Sequence, residues 1–185
     1  MLAGGGVVAF PTETCYGLAV DPFNDRALER LFQIKHRPLD KPVLLLIHEL
    51  AQLESFVTAV PEVYTPLIAR HWPGPLTLIF PARADLPFLL TGGTGTIGVR
   101  ISPHPVARAL GKAFGRAITA TSANLSDQQP ACSAAEVRAA LGATVDLIVD
   151  GGRTPADCCS TIIGERGGVL HLIRSGAADI DLAAG

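Results

Sequence analysis

Charge is scarce in this 185-residue chain: Asp, Glu, Lys and Arg make up 17% of it, against 48% hydrophobic residues. That balance excludes a disordered segment and predicts a packed core. An excess of positive charge is also missing. With a formal net charge of −2, strong attraction of the whole molecule to a polyanion is excluded, although a local basic groove is not. Long apolar runs are absent as well: Val43-Leu44-Leu45-Leu46-Ile47 reaches five residues, far short of the roughly 18 that cross a bilayer. Met1 to Gly6 has neither the basic segment nor the apolar stretch of an export signal, so the cytoplasm is the expected compartment. Among four cysteines there is no Cys-x-x-Cys spacing, and Cys158 and Cys159 are adjacent. The usual zinc and thiol-exchange motifs are thereby excluded, which favours a structural reading of the cysteines.

Short apolar runs alternate with helical patterns, and this order predicts an α/β fold. No linker divides the chain, and its length fits one domain at roughly 100 to 200 residues per domain. Residues 1–185 are therefore expected to form a single domain. Asn24 is placed to cap a helix whose Leu28, Leu31 and Phe32 share a face and which runs out near Lys35 to Pro38. Pro61 and Pro66 split the amphipathic stretch from Glu49 to His71 into two short helices. Helix is expected again at Pro105 to Phe114, and from the capping box Ser133-Ala-Ala-Glu136 to near Gly142. Strands are expected at Val7 to Phe10, Val43 to Ile47, Leu76 to Phe80, Thr96 to Ile101, Ala117 to Thr121, Val145 to Val149, Thr161 to Ile163 and Val169 to Ile173. Gly151 to Cys159 reads as a mobile loop that could act as a lid.

Five constellations could carry chemistry. Pro11-Thr-Glu-Thr-Cys-Tyr-Gly-Leu18 follows the first apolar run. If the strand continues past Pro11, alternation puts Thr12, Thr14 and Tyr16 on one face and Glu13 and Cys15 on the other. The octapeptide reads equally as a wall of donors or as an edge strand with a threonine ladder. Lys35-His-Arg-Pro-Leu-Asp-Lys-Pro42 sets three permanent cations within seven residues. Those cations suit phosphates, and they also suit the C-terminal end of a helix dipole. Gly92 to Arg100 is a glycine-rich approach to a strand. It lacks the Gly-Lys-Ser/Thr ending of a Walker loop, and its glycines serve either an anion or tight turns. Thr119-Ala-Thr-Ser-Ala-Asn124 follows an apolar strand, where Ser122 and Asn124 are placed to hold a nucleotide. No Gly-x-Ser-x-Gly elbow marks Ser122 as a nucleophile. Finally, Ser160 heads one strand and Arg174 ends the next.

In this order, PTETCYGL, KHRPLDKP, WPGPLTLIF, GTIGVR, TSANLS, DLIVDGG, STII and LIRSGA resemble the YrdC-like family of threonylcarbamoyl-AMP synthases, from about Gly5 to Gly176. The resemblance implies a twisted open mixed sheet with flanking helices and a concave basic face. It also implies an enzyme that condenses L-threonine, bicarbonate and ATP to threonylcarbamoyl-adenylate, releasing pyrophosphate. Magnesium would be bound through the phosphates, with no protein metal ligands. A partner threonylcarbamoyl transferase complex would then modify tRNA beside the anticodon. Some members bind tRNA or double-stranded RNA.

Carried over by position, Thr14, Arg100, Ala120 (through its backbone) and Ser160 would contact threonine or its carbamate. Arg37, Lys41, Thr96, Ser122, Asn124 and Arg174 would contact ATP, and Lys35, Arg37, Lys41 and Arg100 would be the catalytic cations. The chain departs from the family at Asp127, where glycine is usual, at Ser175, where proline is usual, and at Leu46, where some relatives carry histidine. Its short N-terminus and lack of an added C-terminal domain suggest a minimal form. Two other readings are a noncatalytic RNA-binding module and the carbamoyl-adenylate-forming domain of hydrogenase maturation.

Overall fold

The computed structural model describes residues 1–155 and 159–181. Val8–Pro11 forms the first strand, β1, buried throughout, and the chain then turns back: Tyr16–Ala19, β2, pairs antiparallel with Pro11 opposite Tyr16. The expectation of extended chain beyond Pro11 is corrected here, and Thr12 supplies the reason. Its Oγ1 donates to the Cys15 carbonyl at 2.7 Å and accepts from the backbone N–H groups of Thr14 and Cys15 at 3.2 and 3.3 Å. A hydroxyl that satisfies its own backbone in this way outcompetes strand continuation. Tyr16 consequently enters the core, where its hydroxyl donates to the Gly152 carbonyl at 2.8 Å.

Helix α1, Asp25–Lys35, starts as expected, with the Asn24 side chain accepting from the Ala27 N–H, and it stops at His36, which takes a left-handed conformation (φ 49°). Leu28, Leu31 and Phe32 are its buried face. The chain continues through β3 (Leu45–Leu46), α2 (Thr65–His71), β4 (Leu76–Pro81), α3 (Phe88–Thr91) and β5 (Thr96–Arg100). The expected pair of short helices before β4 is met by 3₁₀ turns at Leu50–Ser55 and Glu62–Tyr64 followed by α2, while α3 is an addition to a stretch that reads as turn. Pro105–Phe114 is α4, with Pro105 at its first turn, and α5 is Ala134–Leu141, whose Ser133 hydroxyl accepts from the Glu136 N–H at 3.2 Å. The Glu136 carboxylate closes the cap on the N–H of Cys132, one residue before the cap itself, at 2.7 Å.

The expected strand at Ala117 to Thr121 divides into β6 (Ile118–Thr119) and β7 (Thr121–Ser122). Here β6 pairs with β3, whereas β7 pairs with β2, and Ala120 carries the chain from one partner to the other. The remaining strands are β8 (Leu147–Ile148), β9 (Thr161–Arg166) and β10 (Val169–Arg174). Hydrogen bonding groups the strands into two mixed sheets, in the orders β7-β2-β1-β8 and β10-β9-β4-β5-β3-β6. The mixed α/β architecture is as expected. Apolar side chains from both sheets, among them Ala9, Leu18, Leu45, Leu78, Val99 and Ile163, share one core with the inner face of α1. Residues 156–158 of the expected mobile loop lie outside the described residues, and Thr154 is tied to the Cys132 carbonyl through its N–H at 2.8 Å.

Candidate active site

The tip of the β1–β2 hairpin and the C-terminal end of β5 meet. Arg100, the last residue of β5, is 5% exposed; its Nη1 lies 2.8 Å from Glu13 Oε1 and donates to Thr14 Oγ1 at 3.3 Å. The Ser102 hydroxyl donates to the other Glu13 oxygen, which holds the carboxylate beside the guanidinium as its counter-charge. The Nε of Arg100 is buried and has no partner among the described residues. Leaving such a donor unpaired costs about 1–3 kcal/mol, which an acceptor on a bound molecule would recover. Strand alternation places Glu13 opposite Thr14, and that is why the sequence gives no sign of it; in a tight turn both side chains reach the same arginine.

A second group stands where β9 begins. Ser160 Oγ is 2.8 Å from Thr77 Oγ1, and Arg174 at the end of β10 donates to the Ser160 carbonyl and hydroxyl, its Nη2 bonds measuring 2.8 and 3.1 Å. Strand β4 joins this group to the first, because Leu78 stands opposite Val99 on one side and Leu76 opposite Thr161 on the other, which sets Thr77 between Arg100 and Ser160. The two thiols of this region shift in opposite directions: Cys15, with the charges of Arg174 and Arg100, lowers Cys159 from the ordinary thiol value, and Cys159 together with burial raises Cys15.

The third group is built on the end of α1. Lys35, 1% exposed, donates from Nζ to the Asn124 carbonyl at 2.7 Å and to the Ser122 carbonyl. Burial and the neighbouring Arg37 lower it to about 8. Two of its three donors are therefore spent on the segment after β7. Asn124 is also turned toward its own loop, its Nδ2 donating to the Leu125 and Gln128 carbonyls at 2.6 and 2.8 Å. Arg37 binds the Lys41 and Pro42 carbonyls at 3.2 and 2.7 Å and so braces the cationic loop, while Lys41, half exposed, faces Asp127 at 3.7 Å. Gly92 packs so tightly on this loop that an added Cβ would sit 2.4 Å from the Asp40 carbonyl oxygen. That glycine therefore serves a close approach of backbones.

The structure thus brings Thr14, Arg100, Ser160 and Arg174 together on the two sides of Thr77, with Lys35, Ser122 and Asn124 adjoining through the β2–β7 pairing. Ala120 sits at the crossing between the sheets, its N–H donating to the Leu44 carbonyl at 2.8 Å. Thr96 stands apart from Arg100: it starts the strand that Arg100 ends, about 13 Å away at the usual rise, and its hydroxyl pairs with Thr94 at 2.9 Å. Leu46 is core, 4% exposed in β3. Asp127 takes the left-handed conformation (φ 65°) that a glycine adopts freely.

Residues 1–176 match the sequence family Sua5/YciO/YrdC, described as telomere recombination. The chain belongs to this family. Among its relatives is the threonylcarbamoyl-AMP synthase of Idiomarina loihiensis, 44% identical over 147 residues, which are 78% of this chain and 79% of that one. Its fold is similar to that of Pyrococcus abyssi Sua5 solved in complex with L-threonine, at TM-score 0.91 and 38% identity over 95% of this chain and 52% of the other. It therefore spans about half the length of the Pyrococcus protein. Escherichia coli YciO is similar too, at TM-score 0.88 and 27% identity over 98% of this chain and 88% of that one.

Proposed function

We propose that the protein is a threonylcarbamoyl-AMP synthase, a nucleotidyltransferase that condenses L-threonine, bicarbonate and ATP and releases pyrophosphate. The relatives named threonylcarbamoyl-AMP synthase support this reading, as does the L-threonine complex of Pyrococcus Sua5. In the molecule itself, the observation that carries it is Arg100, a buried guanidinium whose Nη1 donates to the Thr14 hydroxyl and whose Nε has no partner among the described residues. A planar cation of this kind is matched to a carboxylate or carbamate.

Once the threonine amine has taken up carbon dioxide, the carbamate oxygen is itself the nucleophile and needs no serine or cysteine. It attacks the α-phosphorus and pyrophosphate leaves, so the protein's work is alignment and neutralisation of spreading negative charge. Thr14, Arg100 and Ser160, with the backbone at Ala120, are assigned to the threonine carbamate. Lys41, Arg37, Ser122 and Arg174 are assigned to the nucleotide, with Thr96 at its outer edge. Lys35 and Asn124 are assigned to shaping the segment after β7, because Lys35 Nζ and Asn124 Nδ2 donate to carbonyls there.

The donor set is cationic and hydroxylic, and no cluster of His, Cys, Asp and Glu fit for a metal occurs among the described residues. This suits magnesium arriving with the phosphates and not held by protein ligands. The product would pass to a threonylcarbamoyl transferase complex acting on tRNA, the whole 1–185 chain acting as one domain in the cytoplasm. No helix among the described residues is long and apolar enough to cross a membrane.

Pyrophosphate release measured with single omissions tests the reading. Turnover is expected only when ATP, L-threonine and bicarbonate are all present. Turnover with carbamoyl phosphate in place of threonine and bicarbonate would move the protein to the carbamoyl-adenylate reading. Salt-sensitive RNA binding by a folded sample that neither binds nor turns over ATP would move it to the RNA-binding one.

A further inference from the structure

Thr77 lies inside β4, 0% exposed, and its hydroxyl has one partner among the described residues, Ser160 Oγ at 2.8 Å. Its side chain is held in place: a Cβ added at Gly98 of β5 would meet Thr77 Cγ2 at 3.3 Å, so the methyl group packs on the neighbouring strand. A β-branched side chain fixed in this way keeps one χ1, and the direction of its hydroxyl is set with it. Where the hydroxyl protons go follows from counting donors. Arg174 can only donate, so Ser160 Oγ accepts from its Nη2 at 3.1 Å. Thr77 and Ser160 then share one bond between two protons, and one proton is left over. Left on Thr77, it would be enclosed in the sheet with no acceptor, at the full desolvation cost of a buried donor. Left on Ser160, at the head of β9 beside Arg174, it can be met by an oxygen of a bound molecule.

We propose that Thr77 is a positioning residue: it donates to Ser160 Oγ and so makes the Ser160 hydroxyl an obligate donor toward the substrate. Ser160 Oγ accepts from Arg174 and from Thr77, both lone pairs are used, and its proton is all that it can offer a ligand. The unpartnered Nε of Arg100 is a second donor of the same kind. Because Leu78 stands opposite Val99 and Leu76 opposite Thr161, the two donors flank Thr77 on neighbouring strands. Such a site selects a group rich in acceptors, a carboxylate or a carbamate, and turns away one that only donates, such as an ammonium. The inference rests on the threonylcarbamoyl-AMP synthase reading, which assigns Ser160 to the threonine carbamate. Thr77 itself touches no substrate; it acts through Ser160.

A double-mutant cycle read by pyrophosphate release provides the test. Thr77→Val keeps the shape and lacks the donor. It is expected to raise the KM for L-threonine by about fivefold, the worth of one net hydrogen bond. The KM for ATP is expected to stay as in wild type, because Arg174 keeps its two bonds to the Ser160 carbonyl. Thr77→Ser restores the donor and is expected to restore the threonine KM. Ser160→Ala should raise that KM further, and adding Thr77→Val to it should change nothing more, since both act through one bond. Should valine be too bulky for the 2.8 Å contact, Thr77→Ala carries the same comparison. Three results would overturn the proposal: an unchanged threonine KM without the Thr77 hydroxyl, no recovery in Thr77→Ser, or effects of Thr77→Val and Ser160→Ala that multiply in the double variant. A folded wild type with no threonine-dependent release would overturn the synthase reading, and the proposal with it.

Discussion

Removing Arg100 leaves the Glu13 carboxylate beside Ser102 with its counter-charge gone, so the substitution tests stability as well as chemistry. Breaking a buried pair at one partner costs about 3–5 kcal/mol. Arg100→Ala is therefore expected to lose turnover and a few kcal/mol in urea unfolding. Adding Glu13→Gln should return much of the stability but none of the activity; recovery of activity in the double variant would refute the role given to Arg100. Glu13→Gln alone should lower kcat/KM for threonine by about tenfold or more, because it loosens the arginine it orients. Cys159 carries a second prediction at this scale. Cys15 and the charges of Arg174 and Arg100 lower its pKa from the ordinary thiol value, so the midpoint for alkylation of Cys159 should lie below the roughly 8.5 of an ordinary thiol. Glu13 is the residue least legible in the sequence, because its pairing with Arg100 depends on the chain turning at Thr12, and the strand-like alternation of the octapeptide conceals that turn.

At the scale of elements, Lys35 binds the end of α1 to the segment after β7, and burial lowers it to about 8 from an ordinary 10.5. Below pH 8 both folded and unfolded chains carry the proton and the cost of burying it is present in full. Between about 8 and 10.5 the unfolded chain holds more protons, so stability rises with pH through this group. The unfolding free energy of wild type minus that of Lys35→Met should accordingly increase from pH 7 to 10 by on the order of 2 kcal/mol; a flat difference would contradict the burial of a charged lysine. Asp127 supports the same corner with its left-handed backbone. Asp127→Gly is expected to be neutral to within about 1 kcal/mol, whereas Asp127→Ala, denied that conformation, should lose about 1 kcal/mol or more in thermal or urea unfolding. Helices α1, α4 and α5 were readable because Asn24, Pro105 and Ser133 mark their starts. The division at Ala120 was not, since the run from Ala117 to Thr121 cannot say which neighbour each half pairs with, and only pairing to β3 on one side and β2 on the other separates the two.

For the whole molecule, function was legible through the order of its motifs more than through any one of them. The Lys35 to Pro42 loop and the glycine-rich approach each suit ordinary turns, and the structure does give Arg37 and Gly92 such local duties. What the fold adds is convergence: the ends of β5 and β10, the head of β9 and the hairpin tip bring a hydroxyl, two arginines and a serine to one place. A net charge of −2 gives the whole molecule no strong attraction to nonspecific RNA. The most direct measurement is the mass of the acid-quenched adenylate formed from ATP, L-threonine and isotopically labelled bicarbonate. The account predicts threonylcarbamoyl-AMP carrying the label, absent when threonine is left out and absent in Arg100→Ala. An adenylate without the label, or none from a folded wild-type sample that binds ATP, would contradict it.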